Sequence, residues 1–167
     1  LGLPDDHVAP RVPRPPPWLR LLHYPPQPPD DDAAQFGSAP HTDYGFLTIL
    51  AQDDAGGLEV RGLDDTWIPA PPIEDAFVIN VGDLMARWTN DRWRSTVHRV
   101  VNPPRDATGS TRRLSLVFFS GPNNDAVVEC LPSCHDETRP IKYAPVVAGA
   151  YIRSKLDASM PAELALR

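Results

Sequence analysis

Cysteine is scarce in this sequence: Cys130 and Cys134 are the 2 present, no framework of disulfides can be built from them, and they point to a reducing, cytoplasmic setting. Long apolar runs are also missing, and no segment reaches the length that carries a helix across a bilayer. Positive charge is thin. Against 22 Asp and Glu there are 16 Lys and Arg, a formal net charge of -6, and no basic cluster able to track a phosphate backbone, so nucleic acid is not an expected partner. The chain does not open on Met. Its start, Leu1-Gly2-Leu3-Pro4, reads as the tail of an earlier element, so a fragment is expected and the lack of a signal peptide carries no weight. Oligomeric state is not legible.

What the chain has in excess is proline, 21 among 167 residues, crowded over positions 10–29 ahead of the acidic run Asp30-Asp31-Asp32. That opening is expected to be extended or looped, broken by one strand over Trp18-Leu19-Arg20-Leu21-Leu22-His23-Tyr24. From His41 onward, short apolar runs at 46–51, 58–61, 67–68, 76–81, 97–101, 113–120 and 127–130 alternate with turn residues, including Gly56-Gly57. This spacing predicts a mainly β sandwich or barrel with few helices. Asp83 is expected to cap a short helix ending near Trp88, and residues 146–156 have helical composition after Pro145. The length suits one domain. The division expected is a proline-rich extension at 1–17, a β core at 18–130, and a C-terminal segment with a helix at 131–167.

The chemistry concentrates in few residues. On a strand, His41 and Asp43 of His41-Thr42-Asp43 project to one face, and His98 from a distant strand can close a triangle with them. Two imidazoles and one carboxylate on one face of an octahedron leave the opposite positions open, the arrangement of non-heme Fe(II) oxygenases. Taken alone, a His-x-Asp is more often a surface pair. Arg113 and Ser115 share a strand face with Val117 and Phe119, while Leu114, Leu116 and Phe118 take the other. A guanidinium beside a hydroxyl receives a carboxylate well, and Tyr24 adds a possible third donor. By itself Arg113 would read as a strand-end salt-bridge residue; its spacing with Ser115 favours the receptor. Cys130, Cys134 and His135 lack a matching second pair of metal ligands and are assigned no role. His7, His23 and His135 read as packed or solvated.

The motifs Leu19-Arg20-Leu21-Leu22-His23-Tyr24-Pro25-Pro26, His41-Thr42-Asp43-Tyr44-Gly45-Phe46-Leu47-Thr48-Ile49-Leu50, Gly56-Gly57-Leu58-Glu59-Val60, Val78-Ile79-Asn80-Val81-Gly82-Asp83, Ser95-Thr96-Val97-His98-Arg99-Val100 and Arg113-Leu114-Ser115 occur in an order that resembles the isopenicillin N synthase-like family of Fe(II)- and 2-oxoglutarate-dependent oxygenases. The resemblance implies a double-stranded β-helix, a jelly roll with iron in its mouth. It implies His41, Asp43 and His98 as iron ligands, Arg113 with Ser115 and Tyr24 around the distal carboxylate of 2-oxoglutarate, and Phe119 facing substrate, with Tyr44 a second candidate pocket residue. The activity implied is oxidation of a small molecule by hydroxylation, desaturation or ring closure, using O2 and yielding succinate and CO2. Two departures stand out: Leu22 occupies a position where many plant members carry asparagine, and the stretch between His98 and Arg113 is lengthened over 103–110. Members also carry a substantial N-terminal segment before this core. Two other readings stay open, an iron oxidase of the isopenicillin N synthase type that uses no 2-oxoglutarate, and a non-catalytic jelly-roll binding module.

Overall fold

Short runs of branched and aromatic residues between turns form the strands. The computed structural model describes residues 1–4, 6–8, 12, 18–26, 37–102 and 112–159; the acidic run at 30–32, the lengthened stretch at 103–110 and most of the proline-rich opening lie outside them. In chain order the elements are β1 (Trp18–Tyr24), β2 (Ser38–His41), β3 (Leu47–Gln52), β4 (Leu58–Arg61), β5 (Trp67–Pro69), β6 (Val78–Val81), α1 (Asp83–Trp88), β7 (His98–Val100), β8 (Arg113–Ser120), β9 (Val127–Val128), β10 (Val146–Val147) and α2 (Ala148–Ser159). One sheet has the order β1-β8-β3-β6, a second β2-β7-β4-β5, and β9 pairs with β10. The pairings are antiparallel. Two four-stranded antiparallel sheets of this kind make the jelly roll that the strand spacing and the family resemblance led us to expect.

Three local expectations are corrected. β2 begins at Ser38 and ends at His41, so Asp43 stands beyond the strand and not within it. Pairing with β7 decides this, Ser38 opposite Val100 and His41 opposite His98, with a shift of register between them. Residues 146–147 belong to a strand and not to the helix, because they pair with Val128 and Val127; α2 starts only at Ala148. Asp83 is the first residue of α1 and not its cap. The N-cap position is held by Gly82, where a Cβ would run into the Gly45 carbonyl, so the close approach of α1 to the turn after Asp43 needs glycine. Asp83 in the first turn and Arg87 in the last still complement the helix dipole.

The apolar core lies beside the two sheets. Phe46, Leu84, Met85 and Trp88 pack with Val128, Leu131, Cys134 and Ala148, joining α1 to β9 and the start of α2. The rings of Phe46 and Trp88 stack with centroids 4.8 Å apart. Cys134 is a buried member of this core and Cys130 is half-buried; both are free thiols, and burial with help from neighbouring Cys134 pushes the Cys130 thiol up.

Candidate metal centre and carboxylate receptor

The pairing of β2 with β7 builds the centre. It sets His41 directly opposite His98, with ring centroids 4.4 Å apart and planes tilted by 55°. Opposed residues of an antiparallel pair share a face, so the two imidazoles meet without any side chain between them. Asp43 arrives from the turn that follows β2, anchored by the backbone N–H of Asp83, which donates to its carbonyl at 2.7 Å. Its carboxylate is buried, and Oδ1 lies 4.0 Å from His41 Nε2 and 3.8 Å from His98 Nε2. The three ligand atoms all fall within 4.8 Å of one another; among the described residues no other His, Cys, Asp and Glu side chains form such a group.

Each of these side chains is oriented from behind. His41 Nδ1 lies 2.7 Å from the Ala39 carbonyl and His98 Nδ1 lies 3.1 Å from the Thr96 carbonyl. A carbonyl can only accept, so each Nδ1 carries a hydrogen, and in the neutral imidazole each Nε2 then turns a lone pair toward the centre. Asn80 Nδ2 donates to Asp43 Oδ2 at 2.7 Å and leaves Oδ1 facing the rings. With both rings neutral, three acceptors converge, and a buried carboxylate without a counter-charge is costly. A divalent cation resolves the conflict. Two imidazoles and one carboxylate fit Fe(II) with coordination positions to spare.

Arg113 is buried on the first residue of β8, one sheet across. Its Nε donates to the Gly56 carbonyl at 2.7 Å, Nη2 donates to Gln52 Oε1 at 3.1 Å, and Nη1 donates to Ser115 Oγ. Guanidinium has five N–H groups, so these bonds leave two for a ligand, and Ser115, having accepted, keeps its own hydrogen to give. Burial lowers the Arg113 pKa, with Tyr24 and Asp53 opposing the shift; the side chain remains a cation. Tyr24, opposite Arg113 in the register, lays its ring under the guanidinium at 5.1 Å. The contact is face to cation.

A cavity of about 280 Å³ opens beside the centre, lined by His41, Asp43, Tyr44 and Phe119 together with Trp18, Arg20 and the α2 residues Ile152 and Leu156. Tyr44 and Phe119 both line this cavity. Behind Thr42 a polar hollow of about 490 Å³ is lined by Asp83, Arg87, Asp91, Lys142, Tyr151 and Lys155, among others. Here Asp83 accepts from Tyr151 at 3.1 Å and from Lys155 at 3.0 Å, tying α2 to α1.

Four contributors escaped sequence reasoning: Asn80, Gln52, the Gly56 carbonyl and Arg20. Asn80 left a trace, an amide in the apolar strand Val78-Ile79-Asn80-Val81. Gln52 and Gly56 left none, because strand pairing alone brings them to Arg113. Arg20 shares its alternation with Tyr24, which was the available signal.

Comparison with known proteins agrees with this geometry. Residues 15–122 match the 2OG-Fe(II) oxygenase superfamily. The chain is 41% identical over 143 residues to a 2-oxoglutarate-Fe(II) type oxidoreductase of Emericella nidulans, covering 81% of this chain and 40% of that protein. It is 48% identical over 110 residues to a 2-oxoglutarate-dependent dioxygenase of Monascus ruber, covering 64% of this chain and 32% of the relative. Among solved structures, Neurospora crassa T7H in complex with alpha-KG and thymine superposes with a TM-score of 0.87 and 37% identity, covering 95% of this chain and 49% of T7H. The chain thus spans less than half the length of these relatives. With 108 consecutive positions matched, from 15 to 122, this chain belongs to the 2OG-Fe(II) oxygenase superfamily.

Proposed function

We propose that the chain carries the catalytic centre of an Fe(II)- and 2-oxoglutarate-dependent oxygenase that oxidises a small molecule. The observation that carries this reading is the presence, on the two sheets of one jelly roll, of three convergent acceptors and a buried guanidinium that still has donors to give. His41, Asp43 and His98 hold the metal, their orientation set by the Ala39 and Thr96 carbonyls and by Asn80. Arg113 and Ser115 bind the distal carboxylate of 2-oxoglutarate, with the Tyr24 ring screening the guanidinium from water. Fe(II), when bound, supplies activation of O2 coupled to decarboxylation of 2-oxoglutarate, so that succinate, CO2 and an oxidised substrate are the products. Leu22, opposite Ser115, and the buried Val117 keep the space between receptor and cavity apolar and exclude water. Tyr44 and Phe119 hold the substrate beside the metal. The thymine complex of the Neurospora crassa neighbour supports a small-molecule substrate.

Adding 2-oxoglutarate to the anaerobic Fe(II)-loaded chain is expected to produce a visible charge-transfer band that neither component gives alone. A folded chain that binds iron and shows no band would contradict the cosubstrate assignment.

A further inference from the structure

The inner face of β1 leads from the carboxylate receptor to the cavity. Its register against β8 sets Tyr24 opposite Arg113, Leu22 opposite Ser115, Arg20 opposite Val117 and Trp18 opposite Phe119. At about 3.4 Å per residue, Arg20 stands roughly 14 Å along the strand from Tyr24, well past the receptor for the distal carboxylate. It lines the same cavity as His41, Asp43, Tyr44 and Phe119, and among the described residues it is the one Lys or Arg to do so.

β1 is the edge of its sheet, and Arg20 shares with Trp18, Leu22 and Tyr24 the face that alternates with Leu19 and Leu21. Leu19 and Leu21 take the outer face and are 62% and 67% exposed, while Arg20, itself exposed, lies on the alternate face and lines the cavity at its mouth. Among the described residues no carboxylate forms an ion pair with Arg20. The one carboxylate lining the cavity, Asp43, is engaged by Asn80 and faces the two histidines. A cavity whose lining includes one guanidinium and the apolar side chains of Tyr44, Phe119 and Ile152 offers a fork for an anion and apolar walls for the body attached to it.

We propose that the substrate is a small carboxylic acid with a flat apolar body, its carboxylate gripped by Arg20 and its body held by Tyr44 and Phe119. This rests on the oxygenase reading above and names the substrate class for that site. The test uses the anaerobic chain loaded with Fe(II) and 2-oxoglutarate, and titrates matched pairs of probes, aryl acids such as 1-naphthylacetate and 2-naphthoate against their carboxamides. At least one acid is expected to bind about tenfold or more tighter than its amide, the scale of one charge-assisted contact. In Arg20→Gln that ratio falls to about one while the 2-oxoglutarate titration, read by the charge-transfer band, stays put; Arg20→Lys retains part of the preference. Acids that bind no better than amides, or a preference that survives Arg20→Gln, overturn the proposal. So does an equal loss of 2-oxoglutarate affinity in Arg20→Gln, which would assign Arg20 to the cosubstrate. Failure of the band in the unmodified chain is a different result, since it removes the oxygenase reading itself.

Discussion

Asn80 contributes no ligand, yet its amide decides which oxygen of Asp43 faces the two imidazoles. Partners of this kind, once removed, typically weaken metal binding by about 10- to 100-fold. Asn80→Ala is therefore expected to raise the Kd for Mn(II) by that factor with an unchanged circular dichroism spectrum, and an unchanged Kd would deny Asn80 its positioning role. At this scale the triad, Arg113 and Ser115 were legible from residue type and a spacing of two, which puts side chains on one face of a strand. Asp43 is the exception among them. Its place comes from the turn after β2 and from the Asp83 backbone, not from strand alternation. Asn80, Gln52 and Gly56 stayed hidden because β6, β3 and the turn before β4 meet their partners only through tertiary pairing.

Among the elements, α2 is tied to α1 through one carboxylate, that of Asp83. Burial pushes the Asp83 carboxyl up, but the neighbouring Ser95 hydroxyl, the Lys155 ammonium and the Thr42 hydroxyl outweigh it, and the group sits below the ordinary carboxylate range. A depressed folded-state pKa gives stability that is present above the unfolded value, about 3.9, and is lost as pH falls through the folded one. Acidification below about pH 4 is thus expected to release Tyr151 and Lys155 and speed amide hydrogen exchange across α2. Asp83→Asn should show faster exchange already at neutral pH and a weaker acid response, by a modest margin since Lys155 is 40% exposed. Equal acid responses in the two proteins would contradict this. Most elements could be read from the sequence: β1, β4, β8 and α1 fall where composition and turn residues place them. β10 could not, because Val146-Val147 is a strand only by virtue of pairing with β9.

At the scale of the whole molecule, polar and apolar residues trade their usual places. Along β8, Arg113, Ser115 and Val117 are buried while Leu114 and Leu116 are exposed, and Asp43 and Thr48 are buried as well. Alternation divides a strand into two faces without saying which turns inward. In the sheet the Arg113 face of β8 is the one it shares with Tyr24 and Leu22 of β1 and Gln52 of β3, and the apolar core forms to one side under α1. The jelly roll is thereby a container for charge, and coupled oxidation is the function we propose for that charge. The most direct measurement is succinate released by the Fe(II)-loaded chain from 2-oxoglutarate under O2, beside Arg113→Leu and His98→Ala. Succinate is expected from the unmodified chain, with loss of turnover in His98→Ala and a large rise in the KM for 2-oxoglutarate in Arg113→Leu. Succinate release by a folded His98→Ala protein equal to that of the unmodified chain, or none from an unmodified chain shown to bind iron, would contradict it.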